Sequence, residues 1–210
     1  MLFHKKFAHI IFPAFTNLIW QLPRAQKVLF LTFDDGPYPP VTRQVLDILE
    51  RFRAPATFFL SGEMLYRYRH QLAALDYSGH HVGNHGFYHH PYFLTSEKKM
   101  SAEIRLTDTL IQNRLGETAR YFRPPYGFFG PGLNRVLRQT GKDLVLWSLM
   151  SNDFKWSAER VFTYLKKNME SGDIVVFHDS AQSAETVSRL LPDFLTFCLN
   201  EGYTFRVFRS

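Results

Sequence analysis

The chain of 210 residues is 45% hydrophobic and 16% aromatic, which predicts one folded domain with a sizeable core and excludes a disordered chain. Its formal net charge is +6, but the basic residues form no dense block, so we expect no nucleic-acid partner. The one cysteine, Cys198, excludes an intramolecular disulfide and a cysteine-based zinc site. Any metal site must therefore use histidines and carboxylates.

The first 26 residues are predicted to form an arm that packs on a domain spanning residues 27–210. Two lysines precede an apolar stretch over residues 7–20 that superficially resembles a secretion signal. His9 and Pro13 interrupt this stretch, and no small-residue cleavage site follows it. It is also too short and broken to span a bilayer, so we expect no transmembrane segment. The compartment stays open, with a cytoplasmic location favoured over association with the cell envelope; the oligomeric state also stays open, and a monomer fits the sequence.

Strand and helix patterns alternate along the rest of the chain. The first is an apolar strand, residues 29–33, that ends in Asp34, Asp35 and a Gly-Pro turn. Further strands are predicted near residues 56–60, 119–122, 143–147, 174–177 and 204–208. Helices are predicted near residues 41–52, 63–76, 96–116, 133–139, 157–169 and 184–200, with the last broken or restarted at Pro192. This alternation predicts a single α/β domain with a mostly parallel sheet in the form of a barrel.

Polar side chains of the kind used in catalysis follow the predicted strands. They are Asp34, Asp35, His85, Arg123, Asp153 and His178. In parallel α/β barrels the reacting groups lie at the C-terminal ends of the strands. The sequence therefore predicts one site at this end of the barrel.

Each of these patterns has a second interpretation when it is taken alone. The two aspartates also suit a surface turn that caps the next helix. His85 and His89 are four residues apart, which places both imidazoles on one face of a helical turn. With a carboxylate they suit zinc, although histidine pairs also occur as solvated surface residues.

His178 and Arg123 also leave two alternatives open. His178 follows four apolar residues, so it is either a core histidine held by a backbone carbonyl or a proton donor in a half-buried mouth. Arg123 precedes two prolines, so it is either part of a structural salt bridge or held on a stiff loop that faces the same mouth.

Five ordered motifs together resemble the polysaccharide deacetylases with a NodB-homology domain, carbohydrate esterase family 4. They span residues 32–37, 79–89, 122–127, 147–154 and 172–180. The resemblance covers about residues 27–208 and implies a single-domain distorted (β/α) barrel with seven strands. It also implies a metal-dependent hydrolase that removes N-acetyl groups from a glycan containing N-acetylglucosamine, of the peptidoglycan or chitin type, and releases acetate.

The same resemblance implies a role for each site residue. Asp35, His85 and His89 would hold a divalent metal, usually zinc, with cobalt or nickel as alternatives. Asp34 would take a proton from the attacking water, and Arg123 would orient Asp34 and keep it ionised.

Three further residues would act on the leaving group and the oxyanion. His178 would protonate the departing amine, and Asp153 would fix the orientation of His178. The backbone N–H of Tyr126 would stabilise the tetrahedral oxyanion. Tyr126 is also one of five aromatic residues suited to stacking on sugar rings or to plain loop packing, with Tyr38, Phe128, Phe129 and Trp156.

The chain departs from the family pattern at four positions. Gly86 stands where the family has Ser or Thr, which removes a hydroxyl that usually braces the metal loop. Met150, Phe154 and Val176 replace Asp, Trp and Leu. We expect these changes to affect which substrate is accepted and how fast it reacts more than the type of reaction.

Two further functions remain open. The same scaffold suits O-deacetylation, as on acetylxylan, or hydrolysis of another small amide. A non-catalytic glycan-binding module is the alternative from another class. The presence of both Asp34 and His178 argues against it, because binding alone needs neither a base nor an acid.

Overall fold

A parallel sheet lies at the centre of the structure, a computed structural model that describes residues 18–23, 25–93, 95–130 and 132–208. Its strands are β1 (Leu18–Ile19), β2 (Val28–Asp34), β3 (Ala56–Leu60), β4 (His81–Asn84), β5 (Tyr121–Phe122), β6 (Asp143–Val145), β7 (Leu149–Met150), β8 (Ile174–His178) and β9 (Thr204–Phe205). The α-helices are α1 (Pro39–Arg51), α2 (Gly62–Arg67), α3 (Glu97–Leu115), α4 (Gly132–Thr140), α5 (Ala158–Asn168) and α6 (Ala184–Asn200).

The strands follow the order β1-β6-β5-β4-β3-β2-β8-β7, and every neighbouring pair is parallel. The short strand β9 pairs with β2. The predicted α/β barrel fold is confirmed, but eight strands rather than seven lie along the path. Strands β1 and β7 have two residues each, too few to show a periodic pattern in the sequence.

The central strand β2 is buried on both faces, which explains its nearly continuous apolar sequence. Phe33 stacks on Phe58 of β3 at 5.0 Å and on Phe177 of β8 at 5.6 Å between ring centroids. Apolar side chains of α1 and α6, such as Leu49 and Leu191, belong to the same core. The strand that ends at Asp34 is therefore held by the core on both of its faces.

Two predicted helices differ from the structure. The helix predicted over residues 63–76 ends at Arg67, and a separate 3₁₀ turn spans Leu72–Ala74. Residues 66–71 contribute no buried side chain, so nothing holds further helical turns against the core. The predicted break at Pro192 is wrong, because α6 continues through this residue. The buried side chains of Leu191 and Phe194 on either side offset the lost backbone hydrogen bond.

The predicted helix ends at Ser96, Gly116 and Ser157 agree with the structure. Ser96 and Ser157 cap α3 and α5, and their hydroxyls accept hydrogen bonds from the N–H groups of Lys99 and Arg160. Gly116 ends α3 with φ of 73°.

Most of the predicted arm, residues 1–17 and 24, lies outside the described residues, so the arm stays a prediction. Of its described part, β1 pairs with β6, and Leu22 N–H donates to the carbonyl of Gly172 at 2.9 Å. In the part of the chain that the structure describes, no helix has the length and apolar character needed to cross a membrane.

Candidate active site

The eight sequence-predicted site residues meet at the C-terminal edge of the sheet. Asp34 ends β2 and lies beside His178, the last residue of β8. A cavity of about 570 Å³ opens here, and it is lined by Asp34, Asp35, His85, His89, Tyr126 and His178 among others. The other two predicted residues, Arg123 and Asp153, are bonded directly to Asp34 and His178.

Asp34 is held by a buried arginine. Arg123 Nη1 donates to Asp34 Oδ1 at 2.6 Å and to the Thr32 hydroxyl at 2.8 Å. Its other donors reach the carbonyls of Val145 and Leu146. Burial lowers the pKa of Arg123, and the Asp34 carboxylate opposes this. Among the described residues no side chain donates to Asp34 Oδ2, so one carboxylate oxygen stays available to the cavity.

The backbone is unusual at two site residues. Asp35 has φ of 75° and Tyr126 has φ of 60°, values that residues with a side chain rarely adopt. Such conformations persist where the surrounding structure imposes them, and they concentrate at functional sites. Here they turn the chain immediately after β2 and within the 3₁₀ turn Pro125–Gly127 that follows β5.

Asp35, His85 and His89 form a cluster that fits a divalent cation. Asp35 Oδ1 lies 3.5 Å from Nε2 of His85 and 3.1 Å from Nε2 of His89. This oxygen is buried and has no hydrogen-bond partner of proper geometry among the described residues. One potential ligand atom from each of the three residues lies within 4.8 Å of the others. Two imidazole nitrogens and one carboxylate oxygen form a donor set suited to zinc.

The outer nitrogen of each histidine is also held. His85 Nδ1 lies 2.7 Å from the carbonyl oxygen of Arg123 and donates its proton there, so that Nε2 is the nitrogen that faces the cluster. His89 Nδ1 lies 3.1 Å from the Tyr126 hydroxyl. Burial alone would raise the pKa of Asp35, but the two imidazoles outweigh it and hold that pKa well below its usual value. Burial alone would lower the pKa of His89, and Asp35 outweighs this and raises it.

The predicted helical turn that joins the two histidines is wrong. Residues 85–90 form no helix, and a bent loop after β4 brings the imidazole centroids to 5.6 Å. The loop is fixed by backbone hydrogen bonds: His85 N–H donates to the carbonyl of Leu60, and Gly62 N–H donates to the carbonyl of Gly86. The spacing of four thus results from the loop path rather than from helical periodicity.

His178 lies across the cavity mouth and is anchored by Asp153. One carboxylate oxygen lies 2.7 Å from His178 Nδ1, and the other accepts the His178 backbone N–H at 2.8 Å. Phe154 packs edge-on against the imidazole at 5.0 Å. Burial alone would lower the pKa of His178, but Asp153 outweighs it and raises the pKa to about 9. The imidazole is therefore protonated at neutral pH.

Comparisons with known proteins decide the family. Residues 21–145, more than half of the chain, match the family model described as polysaccharide deacetylase. A peptidoglycan-N-acetylglucosamine deacetylase from Bacillus cereus is 31% identical over 193 residues, covering 89% of this chain and 88% of the relative. The chain belongs to the polysaccharide deacetylase family. The predicted family and the predicted class, a hydrolase, are confirmed.

One further relative agrees with this assignment, and one solved structure shares the fold. The peptidoglycan-N-acetylmuramic acid deacetylase PdaC of Bacillus subtilis is 34% identical over 174 residues, which cover 80% of this chain and 36% of that longer protein. The crystal structure of the Bc1960 peptidoglycan N-acetylglucosamine deacetylase superposes with a TM-score of 0.86, covering 91% of this chain and 90% of the other. At 24% identity, the latter likeness shows the fold alone.

The four departures from the family pattern lie in different places. Met150 and Phe154 line the cavity. Val176 is fully buried in β8 and does not belong to the cavity lining. Gly86 has φ of 80°, a conformation that favours glycine, within the loop that carries both histidines.

Sequence reasoning missed several residues that support the site. Thr32 accepts from Arg123, and Ser151 donates to Asp153 Oδ1 at 2.9 Å. Asn84 Oδ1 accepts the N–H of Gly86 at 2.8 Å, and its amide donates to Asp108. Thr32 and Asn84 lie within the family motifs at residues 32–37 and 79–89, and this was the only feature of the sequence that could have indicated their supporting role. The Thr32–Arg123 and Asn84–Asp108 contacts join residues far apart in the sequence, which local patterns do not identify.

Of the five aromatic residues considered for sugar stacking, only Tyr126 lines the cavity, and its side chain is half-exposed. Tyr38 and Trp156 pack against the main core, and Phe129 packs against a second apolar cluster. Phe128 is exposed, but it does not belong to the cavity lining.

Proposed function

We propose that this protein is a metal-dependent N-deacetylase that acts on a glycan containing N-acetylglucosamine. One observation carries the proposal: an arginine-held carboxylate, a His-His-Asp cluster and a histidine anchored by Asp153 all face one cavity at the C-terminal edge of the sheet. This set supplies a base, a cation site and an acid. Each of the three would accelerate the hydrolysis of an unactivated amide, because the attacking water is a weak nucleophile and the amine is a poor leaving group.

Asp35, His85 and His89 would hold the cation, with zinc as the metal that the donor set suits best and cobalt or nickel as alternatives. When bound, a divalent cation would lower the pKa of water and polarise the acetamide carbonyl. Arg123 Nη1 would orient Asp34 and fix one of its oxygens. The other oxygen would then accept a proton from the attacking water.

The far side of the cavity would serve the leaving group. His178 would donate its proton to the amine nitrogen as the C–N bond breaks, which yields acetate and a free amino sugar. Asp153 would hold Nδ1, so that Nε2 is the nitrogen that delivers the proton. The backbone N–H of Tyr126, in its turn of positive φ, would donate to the tetrahedral oxyanion.

The substrate class is supported by the relatives and the cavity. The relatives named above are deacetylases of peptidoglycan sugars, so we propose a peptidoglycan or chitin-like glycan as the partner. The cavity of about 570 Å³ has room for one sugar residue and its acetamide, and Met150 and Phe154 supply an apolar wall for the acetyl methyl. O-deacetylation is the alternative that the same groups would support.

Acetate release from N-acetylglucosamine oligomers tests the proposal. We would compare zinc-loaded protein, chelated protein and Asp34→Asn. Release that depends on metal and falls at least about a hundredfold in Asp34→Asn is expected, since general base catalysis contributes 10²–10⁴-fold. Release from acetylxylan alone would identify the O-deacetylase. Binding of the oligomers without any release would identify the glycan-binding module.

A further inference from the structure

The loop that carries His85 and His89 lacks the hydroxyl that Ser or Thr would supply at position 86. A different hydroxyl lies in the place where that side chain would begin. A Cβ added to Gly86 would stand 2.5 Å from the hydroxyl oxygen of Tyr92 and 3.1 Å from its ring. Gly86 and Tyr92 are therefore complementary, because any side chain at residue 86 would displace the tyrosine.

Tyr92 is fully buried, and its hydroxyl is held in one orientation. It donates to Glu103 Oε2 at 2.9 Å, and Glu103 is itself buried in α3. His90 Nε2 donates to the same carboxylate at 3.0 Å, and its ring stacks on Tyr92 with centroids 5.3 Å apart. Glu103 accepts the hydrogen bond from the Tyr92 hydroxyl, and the backbone N–H of Phe87, within the metal loop, interacts with the same hydroxyl oxygen.

Tyr92 also connects the metal loop to the loop that follows β5. Its backbone N–H donates to the carbonyl of Phe128 at 3.3 Å, and it forms a parallel bridge with Phe129. The same loop carries Arg123 and Tyr126. Tyr92 therefore connects the loop that carries the two histidines to the loop that holds their outer nitrogens.

We propose that Tyr92, oriented by Glu103, is the positioning residue that fixes the His85–His89 loop in place of the missing side-chain hydroxyl at position 86. This inference rests on the proposed metal site. Its consequence is that zinc affinity depends on a hydroxyl that touches neither the metal ligands nor the substrate. Positioning groups behind metal ligands typically change metal affinity by about 10–100-fold.

The test measures zinc affinity by competition with a chromogenic chelator, together with the melting temperature of the metal-free protein. Tyr92→Phe is expected to weaken zinc binding about tenfold or more. Glu103→Met should do the same, while Glu103→Gln should stay within about threefold of the parent, because the Gln carbonyl still accepts the tyrosine proton. Tyr77→Phe is the matched control, since it removes another buried tyrosine hydroxyl, one without a hydrogen-bond partner among the described residues.

Amide hydrogen exchange of the metal-free protein provides a readout that needs no metal. The amides of residues 85–90 should exchange about tenfold faster in Tyr92→Phe and remain unchanged in Tyr77→Phe. Parent-like zinc affinity and exchange in Tyr92→Phe would overturn the inference. If Tyr92→Phe does not fold, equal zinc affinity in Glu103→Gln and Glu103→Met would overturn it. A parent protein that binds no zinc would overturn the proposed metal site and the inference together.

Discussion

Asp153→Asn is expected to move the alkaline limit of activity to lower pH. Asp153 contacts His178 through both carboxylate oxygens, and after burial its charge is the largest influence on the imidazole. The substitution retains an oxygen for the hydrogen bond to Nδ1 and removes the charge. Burial then acts with little opposition, so the pKa of His178 should fall from about 9 to below its ordinary value of 6.5.

The size of the effect follows from this difference in pKa. The rise from 6.5 to about 9 corresponds to about 3 kcal/mol in favour of the imidazolium ion. At pH 8 the parent would hold about 90% of His178 protonated, and the variant less than about 3%. Deacetylation at pH 8 should therefore fall about 30-fold or more through loss of the acid, and part of this loss should be regained at pH 6.

The assay is the pH profile of kcat/KM for acetate release, with parent and variant loaded with the same metal. The negative charges of Asp34 and Asp35 also raise the pKa of His178, by less than Asp153 does, and a bound cation would oppose their effect. Parent and variant must therefore carry the same metal, so that a difference between them reports the effect of Asp153 alone. The matched control is Asp173→Asn, the same change just before the opposite end of β8, where the pH profile should not move. An unchanged alkaline limit in Asp153→Asn would refute the assignment of His178 as the acid.

Three further predictions concern stability. Arg123→Met should lower the free energy of unfolding in urea by about 3–5 kcal/mol because it strands a buried carboxylate. Arg135→Met, at the exposed pair with Glu97, should cost less than about 1 kcal/mol, and equal costs would contradict this. Burial is the main cause that raises the pKa of Asp179 to about 8. Between pH 3.8 and about pH 8 the folded protein therefore keeps a proton that the unfolded chain has lost. The contribution of this group to the free energy of unfolding falls as the pH rises through this range. The melting temperature of Asp179→Asn relative to the parent should therefore increase from pH 5 to pH 9; a constant difference would contradict the shift. Gly36→Ala should destabilise more than Gly116→Ala does, because a Cβ at residue 36 overlaps the buried Asp179 carboxyl. At residue 116 the Cβ meets open space, so only the strain of the positive φ, about 1 kcal/mol, acts there; a smaller loss for Gly36→Ala would refute this packing.

Part of the site was predictable because several strand ends are marked in the sequence, whereas the roles of His89 and Tyr126 were implied by the family resemblance. An apolar run that stops at Asp34 or at His178 identifies both the strand and its polar terminus. In a parallel sheet the ends of neighbouring strands lie at one edge, so a list of strand-end residues is also a list of spatial neighbours. This reasoning needs no knowledge of the loops, and the structure brings the predicted residues together.

The loops and the supporting contacts were not predictable from local patterns. His85 and His89 meet on a bent loop, and their spacing of four wrongly suggested a helix. Tyr92 and Glu103 are far from any strand end, and only the fold brings the Tyr92 hydroxyl against Gly86. The continuous helix through Pro192 likewise depends on packing, since its buried neighbours offset a local preference for a break.

Zinc-edge anomalous diffraction from crystals grown with zinc tests the central claim most directly. The account predicts one strong anomalous peak within bonding distance of Asp35 Oδ1 and the Nε2 atoms of His85 and His89, with Asp34 still held by Arg123. A peak elsewhere, or none at this cluster while the protein releases acetate, would contradict the metal-dependent mechanism.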